Sequence, residues 1–190
     1  MENTDNQIKN LLMVYQSNIF LWIEHALSLT PQLPVNNKKR DFQRLFTCPP
    51  HEFVSLAASF KLVDFEVFQK NKNLTWQQVV LLIAVMRAVK KELPFRIAVR
   101  ACRGSGKSSV SAIIVLWYLY CFTDTRILAT SSSSAQLATA FWAEIRLHYS
   151  RMNEPFKSRF EVQSAFVYPV GNQESFITAR ASNKENPEVM

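Results

Sequence analysis

Apolar residues recur at helical spacing near the start of the chain: Ile8, Leu11, Leu12, Tyr15, Ile19, Trp22, Ile23 and Ala26. The pattern predicts one amphipathic helix over 8–29, closed by Thr30-Pro31. It suits a helix packed on the body or one that docks a partner. Residues 31–50 are polar and proline-marked, which predicts a linker, and 50–60 a further helical piece. Thr75 is a plausible N-cap for an apolar helix over 74–89. The run 95–101 (FRIAVRA) is short, apolar and β-branched, and predicts a strand. The stretch 109–122 (SVSAIIVLWYLYCF) is apolar nearly all round and predicts a buried helix. A second strand follows at 126–130, then a polar turn at 131–134 and a helix from 135 to about 149. Shorter strands are expected at 160–163, 166–170 and 175–180, with Gly171-Asn172 turning between the last two. Strand, helix, strand, helix in this order predicts a parallel α/β layout.

Between the strand at 95–101 and the helix at 109–122 lies Ala101-Cys102-Arg103-Gly104-Ser105-Gly106-Lys107-Ser108, holding two of the three glycines in the chain. It fits the phosphate-binding loop of P-loop ATPases, in the strand–loop–helix context that loop requires. Nucleotide phosphates need several inward-facing backbone N–H groups, and glycine adopts the necessary turns cheaply. The following helix adds free N–H groups and the positive end of its dipole. Lys107 is placed to reach the β- and γ-phosphates, and Ser108 to ligate the Mg²⁺ that accompanies ATP.

Composition adds bounds. The 190 residues, 48% apolar and 12% aromatic, suffice for a core and exclude a disordered chain. The net charge of +7 favours a polyanionic partner. Cys48, Cys102 and Cys121 are odd in number and lack Cys-x-x-Cys spacing, which argues against a disulfide framework and for a reducing compartment. His25, His51 and His148 show no metal-ligand spacing. The polar N-terminus has no signal-peptide layout. The longest apolar runs, 79–85 and 110–122, fall short of a bilayer span, so no membrane partner is expected. Lys38-Lys39-Arg40 reads as a solvated stretch or as a DNA or partner contact.

Four stretches together resemble the large terminase subunit of tailed bacteriophages, from about Leu74 to the C-terminus. Leu74-Thr75-Trp76-Gln77 is similar to that family's adenine-recognition element, and 96–108 (RIAVRACRGSGKS) to its P-loop, including the arginine inside the loop. The run 127–137 (ILATSSSSAQL) is similar to a strand and helix start these motors share with helicases. The run 178–190 (TARASNKENPEVM), with Ala-Ser-x-x-Glu-x-Pro-Glu over 181–188, is similar to the stretch before the family's Walker B strand. The resemblance implies an α/β P-loop NTPase fold of the RecA-like, ASCE type, a parallel sheet flanked by helices. Residues 1–72 would form a helical N-terminal segment and linker, and 73–190 the N-terminal portion of the ATPase domain.

In function, the resemblance implies the ATP-binding part of a viral DNA-packaging motor. Such a motor couples ATP hydrolysis to movement of double-stranded DNA. Implied partners are viral DNA, the small terminase subunit, the portal protein of the procapsid and further copies in a ring, in the host cytoplasm. Gln77 would read the adenine edge, its amide being both donor and acceptor. Trp76 would be either core or a base-stacking wall. Ala101, Cys102, Arg103, Gly104, Ser105, Gly106, Lys107 and Ser108 would hold ATP and Mg²⁺. Arg103, with Lys107, would carry catalysis by stabilising charge on the transferring phosphoryl group, unless it turns away to a carboxylate. Cys102 reads as a small loop residue or a reactive thiol, and 131–136 as a sensor of DNA or nucleotide or a solvated cap. The chain lacks an apolar run ending in Asp-Glu, and lacks the family's nuclease domain. The sequence therefore reads as an N-terminal or truncated portion, expected to be inactive alone. Two other readings stand: a helicase-type P-loop motor, and a non-catalytic ATP-binding or assembly module.

Overall fold

Asn18 divides the first predicted helix in two. Its extended backbone (φ −141°, ψ 92°) ends α1 (Glu2–Ser17), and its side-chain oxygen accepts from the N–H groups of Phe20 and Leu21 to start α2 (Ile19–Leu27). Apolar periodicity runs through this break: Tyr15 on α1 and Ile19, Trp22, Ile23 and Ala26 on α2 are buried in one core, while Leu11 is exposed. The computed structural model describes residues 2–35, 38–69, 72–94, 96–102, 104–164 and 166–181, with side chains from Lys9 onward.

The predicted linker is built structure. Strand β1 (Thr30–Pro31) pairs in parallel with β2 (Asn73–Leu74), and Pro34 bridges to Phe65. Helix α3 (Lys38–Arg44) buries Phe42, and the turn after it buries Leu45 and Cys48. Prolines and charges on the exposed side masked these few inward apolar positions. Helix α4 (Pro50–Ala58) follows the Pro49-Pro50 start. The 31–74 region is tied down by buried polar groups as well. The Arg87 guanidinium, almost fully buried, donates to the carbonyls of Leu45 (2.9 Å) and Cys48 (2.6 Å) and pairs with Glu92 at 3.1 Å. Removing such a group would leave two buried carbonyls unpaired.

Helix α5 (Trp76–Val89) starts on Thr75 as expected, with a reciprocal cap: Thr75 Oγ1 accepts from Gln78 N–H, and Gln78 Oε1 accepts from Thr75 N–H. Helix α6 (Lys107–Cys121) is the centre of the molecule. It touches α1, α2, α5 and the sheet, which matches its apolar circumference. The Trp117 ring is fully buried and its Nε1–H donates to the carbonyl of Tyr15 on α1 at 2.9 Å.

The remaining strands form a four-stranded sheet: β3 (Arg126–Ser131), β4 (Phe160–Val162), β5 (Phe166–Pro169) and β6 (Phe176–Ala181), in the order β3-β6-β5-β4. Strands β3 and β6 are parallel, with Leu128 opposite Thr178, while β4, β5 and β6 run antiparallel. Between β3 and β4 the chain crosses over through α7 (Ser134–Gln136), a π-helical segment (Leu137–Trp142) and α8 (Ala143–Arg151). The protein is thus a mixed α/β fold with a small mixed sheet, in place of the expected parallel layout. The turn between β5 and β6 falls at Gly171-Asn172 as expected, and Gly171, at φ +79°, takes the left-handed backbone there. The predicted strand at 95–101 is not one: among the described residues, 96–101 pair with no strand and are exposed. An apolar β-branched run favours extended backbone, but a strand also needs a neighbour. Residues from both sides of position 72 share one core, Tyr15, Trp22 and Leu45 with Leu82, Leu116 and Ile177.

Candidate nucleotide site

The N-terminus of α6 is where the predicted loop residues meet. Gly104 (φ +81°) and Gly106 (φ +77°) both take the left-handed backbone that the turn requires. Gly106 is also constrained by a neighbour: a Cβ there would stand 2.3 Å from Gln78 Nε2. The amide of Gln78 sits against Gly106, its Nε2 3.5 Å from the Gly106 carbonyl oxygen. Gln78 is itself held by the cap of α5, so one side chain joins the start of α5 to the loop.

The Lys107 side chain folds back over the loop. Its ammonium donates to the carbonyls of Ala101 (2.8 Å) and Cys102 (2.6 Å) and lies 3.4 Å from Ser105 Oγ. A positive charge is thereby centred on a turn whose next N–H groups open α6, where the helix dipole is also positive. Arg103 lies outside the described residues, and so does 182–190, which carries most of the family-like C-terminal run.

Gln77 and the loop border one cavity of about 650 Å³. Its walls include Phe68, Leu81, Val99, Ala101, Cys102, Gly104 and Lys107. Gln77 is exposed on the first turn of α5, and the orientation of that turn is set from the former linker. Gln32 is 2% exposed. Its Oε1 accepts from the Trp76 N–H at 3.2 Å, and its Nε2 donates to the Glu66 carbonyl. Trp76 is stacked on Phe65, with centroids 5.3 Å apart and an interplanar angle of 3°, so one face of its ring packs on the core. Its indole nitrogen is buried without a hydrogen-bond partner.

Ser108 borders a different cleft of about 400 Å³, with Ser111, Thr130, Ser131 and Gln136 among its walls. Ser131 Oγ donates to Gln136 Oε1 at 2.8 Å, and Ser133 Oγ accepts from Gln136 N–H, so the 131–136 turn is a helix cap joined to this cleft. One residue further, Ser109 Oγ is 2.8 Å from Nε2 of His148 on α8. His148 is 7% exposed, and burial holds its pKa below the ordinary histidine value against the opposing pull of Glu144.

The groups present fit a nucleoside triphosphate: a glycine turn, a central lysine, a helix N-terminus and an amide in one cavity. For Mg²⁺ they offer the Ser108 hydroxyl, and neither cleft has Asp or Glu in its described walls. No group of three or more His, Cys, Asp or Glu stands ready for a metal among the described residues. The Ser108 hydroxyl thus opens on the second cleft, and not on the cavity that holds Lys107 and Gln77. Sequence reasoning named Gln77 and the loop. It missed Gln78, Gln32 and His148, which act across the fold, although the Thr75-x-x-Gln78 spacing is a visible capping signal. No helix among the described residues is long and apolar enough to cross a membrane. Comparison with protein-family models, with characterised proteins and with solved structures finds no match for this chain.

Proposed function

We propose that the chain binds ATP with its Mg²⁺ and forms the nucleotide-binding part of a P-loop motor of the large-terminase type. The observation that carries the proposal is the single cavity shared by Gln77 and the loop that Lys107 centres. On this reading Lys107 exchanges its carbonyl partners for phosphate oxygens, the N-terminus of α6 receives the remaining charge, and Gln77 meets the adenine edge. Arg103, as part of the same loop, would act on the γ-phosphoryl group. The P-loop NTPase fold, and double-stranded DNA, the small terminase subunit, the portal protein and a ring of copies as partners in the host cytoplasm, belong to the same proposal. They rest on the family resemblance, with the +7 charge favouring the DNA.

Hydrolysis needs a group that orients water and completes the metal shell. Neither cleft has a carboxylate in its described walls, and the sequence holds no apolar run ending in Asp-Glu; both favour ATP binding without turnover. Calorimetric titration with Mg·ATP tests the reading. Binding is expected, and Lys107→Ala should weaken it by roughly ten- to hundredfold, the loss of one charge-assisted phosphate contact. Equal affinity in the two proteins would remove the P-loop assignment. Phosphate release should stay at background, and sustained release dependent on Lys107 would instead make the chain a complete ATPase.

A further inference from the structure

We propose that Phe68 is the stacking face for the nucleobase, an inference that rests on the nucleotide reading above and adds a residue to it. The sequence offered Trp76 for that role, but Trp76 packs one face on Phe65 and is not among the walls of the cavity. Phe68 is different on every count. Its side chain is 41% exposed, it borders the same cavity as Gln77 and the phosphate loop, and no other ring stacks on it among the described residues.

The short extended segment that carries it is pinned on both sides. Glu66 N–H donates to the Leu33 carbonyl at 2.9 Å, and Gln69 N–H donates to Asn73 Oδ1 at 3.1 Å. The backbone that carries Phe68 is thus tied on both sides beside the cavity. An aromatic face, the aliphatic side chains Leu81 and Val99, and a side-chain amide that both donates and accepts suit a flat heteroaromatic ring with a polar edge. The phosphate loop in the same cavity fixes what else that ligand carries. A nucleotide base meets both demands, and an apolar peptide side chain or a lipid tail meets only the first.

The test separates base from phosphate. Titrate wild type, Phe68→Ala, Phe68→Tyr and Lys107→Ala with Mg·ATP and, separately, with inorganic tripolyphosphate and Mg²⁺. Phe68→Ala should weaken ATP about tenfold, the scale of one lost base–aromatic stack, and leave tripolyphosphate within about twofold. Phe68→Tyr, which keeps the face, should retain ATP affinity. Lys107→Ala should weaken both ligands. Unchanged ATP affinity in Phe68→Ala overturns the inference and leaves the P-loop reading standing. Parallel loss of both ligands in Phe68→Ala also overturns it, because the residue would then shape the loop and not the base. Failure of the wild-type chain to bind either ligand overturns the P-loop reading and this one together.

Discussion

The free energies that decide this site are set at single positions. Gly106 has two reasons to be glycine, a left-handed backbone and the Gln78 amide where a Cβ would stand. Gly106→Ala should therefore cost about 1–2 kcal/mol from the backbone alone. Displacing Gln78 should weaken ATP binding further. Gly104→Ala meets no neighbour within 4 Å and should cost only the backbone part. Similar ATP affinities for the two variants in a titration would show that the Gln78 contact carries no weight. Cysteine chemistry gives a second test at this scale. Cys102 is exposed beside Lys107, whereas Cys48 and Cys121 are buried, and burial pushes the Cys121 thiol far above its ordinary range. A colorimetric thiol reagent should titrate one cysteine rapidly in the native protein, and Mg·ATP should slow that reaction. Rapid reaction of a second thiol, or a rate indifferent to ATP, would contradict this arrangement.

Between helices, one contact that couples elements is Ser109 on α6 to His148 on α8. Burial depresses the folded pKa of His148, so the unfolded chain takes up a proton first as pH falls. The linked stability is complete above the ordinary histidine value of about 6.5 and is lost as pH drops from there toward the lower folded value. The groups facing the ring modify this without reversing it. Glu144 favours the charged form, Arg151 opposes it, and the Ser109 contact favours it. Thermal melts of His148→Gln should show a flatter pH dependence between about pH 5 and 7 than wild type. An unchanged slope would mean that another group governs that range. The same contact shows where sequence reading stops. Periodicity placed α5, α6, β3 and the three late strands, because each element's burial is written in its own residues. It did not show that α8 reaches α6 through a histidine, because that pairing depends on the crossover between them. The π segment was invisible for a related reason. The extra residue buries Trp142, five after Leu137, where an α-helical count points to Phe141, and two adjacent aromatics fit either count.

Across the whole molecule, motif and packing tell different parts of the story. The phosphate loop was legible because its chemistry demands glycine and lysine at fixed spacing. The strand expected before it was not realised, since strand formation depends on a partner supplied from elsewhere in the fold. The 31–50 region was read as a linker because Phe42, Leu45 and Cys48 are too few to make a visible period. Yet that region, with α1 and α2, closes the core over α6, the helix whose first residue is Lys107. A cavity made far from the loop should consequently destabilise the loop's own support. Ile19 on α2 is fully buried, and α2 touches α6. Ile19→Ala should cost about 2–5 kcal/mol, lowering Tm by roughly 4–20 °C for a chain of this size. If the helices before residue 72 and the nucleotide loop unfold as one unit, the fall should be the same by far-ultraviolet circular dichroism and by loss of ATP binding with temperature. A melt in which the circular dichroism signal splits into two steps while ATP remains bound through the first would show that α1 and α2 dock on a core able to hold the loop without them.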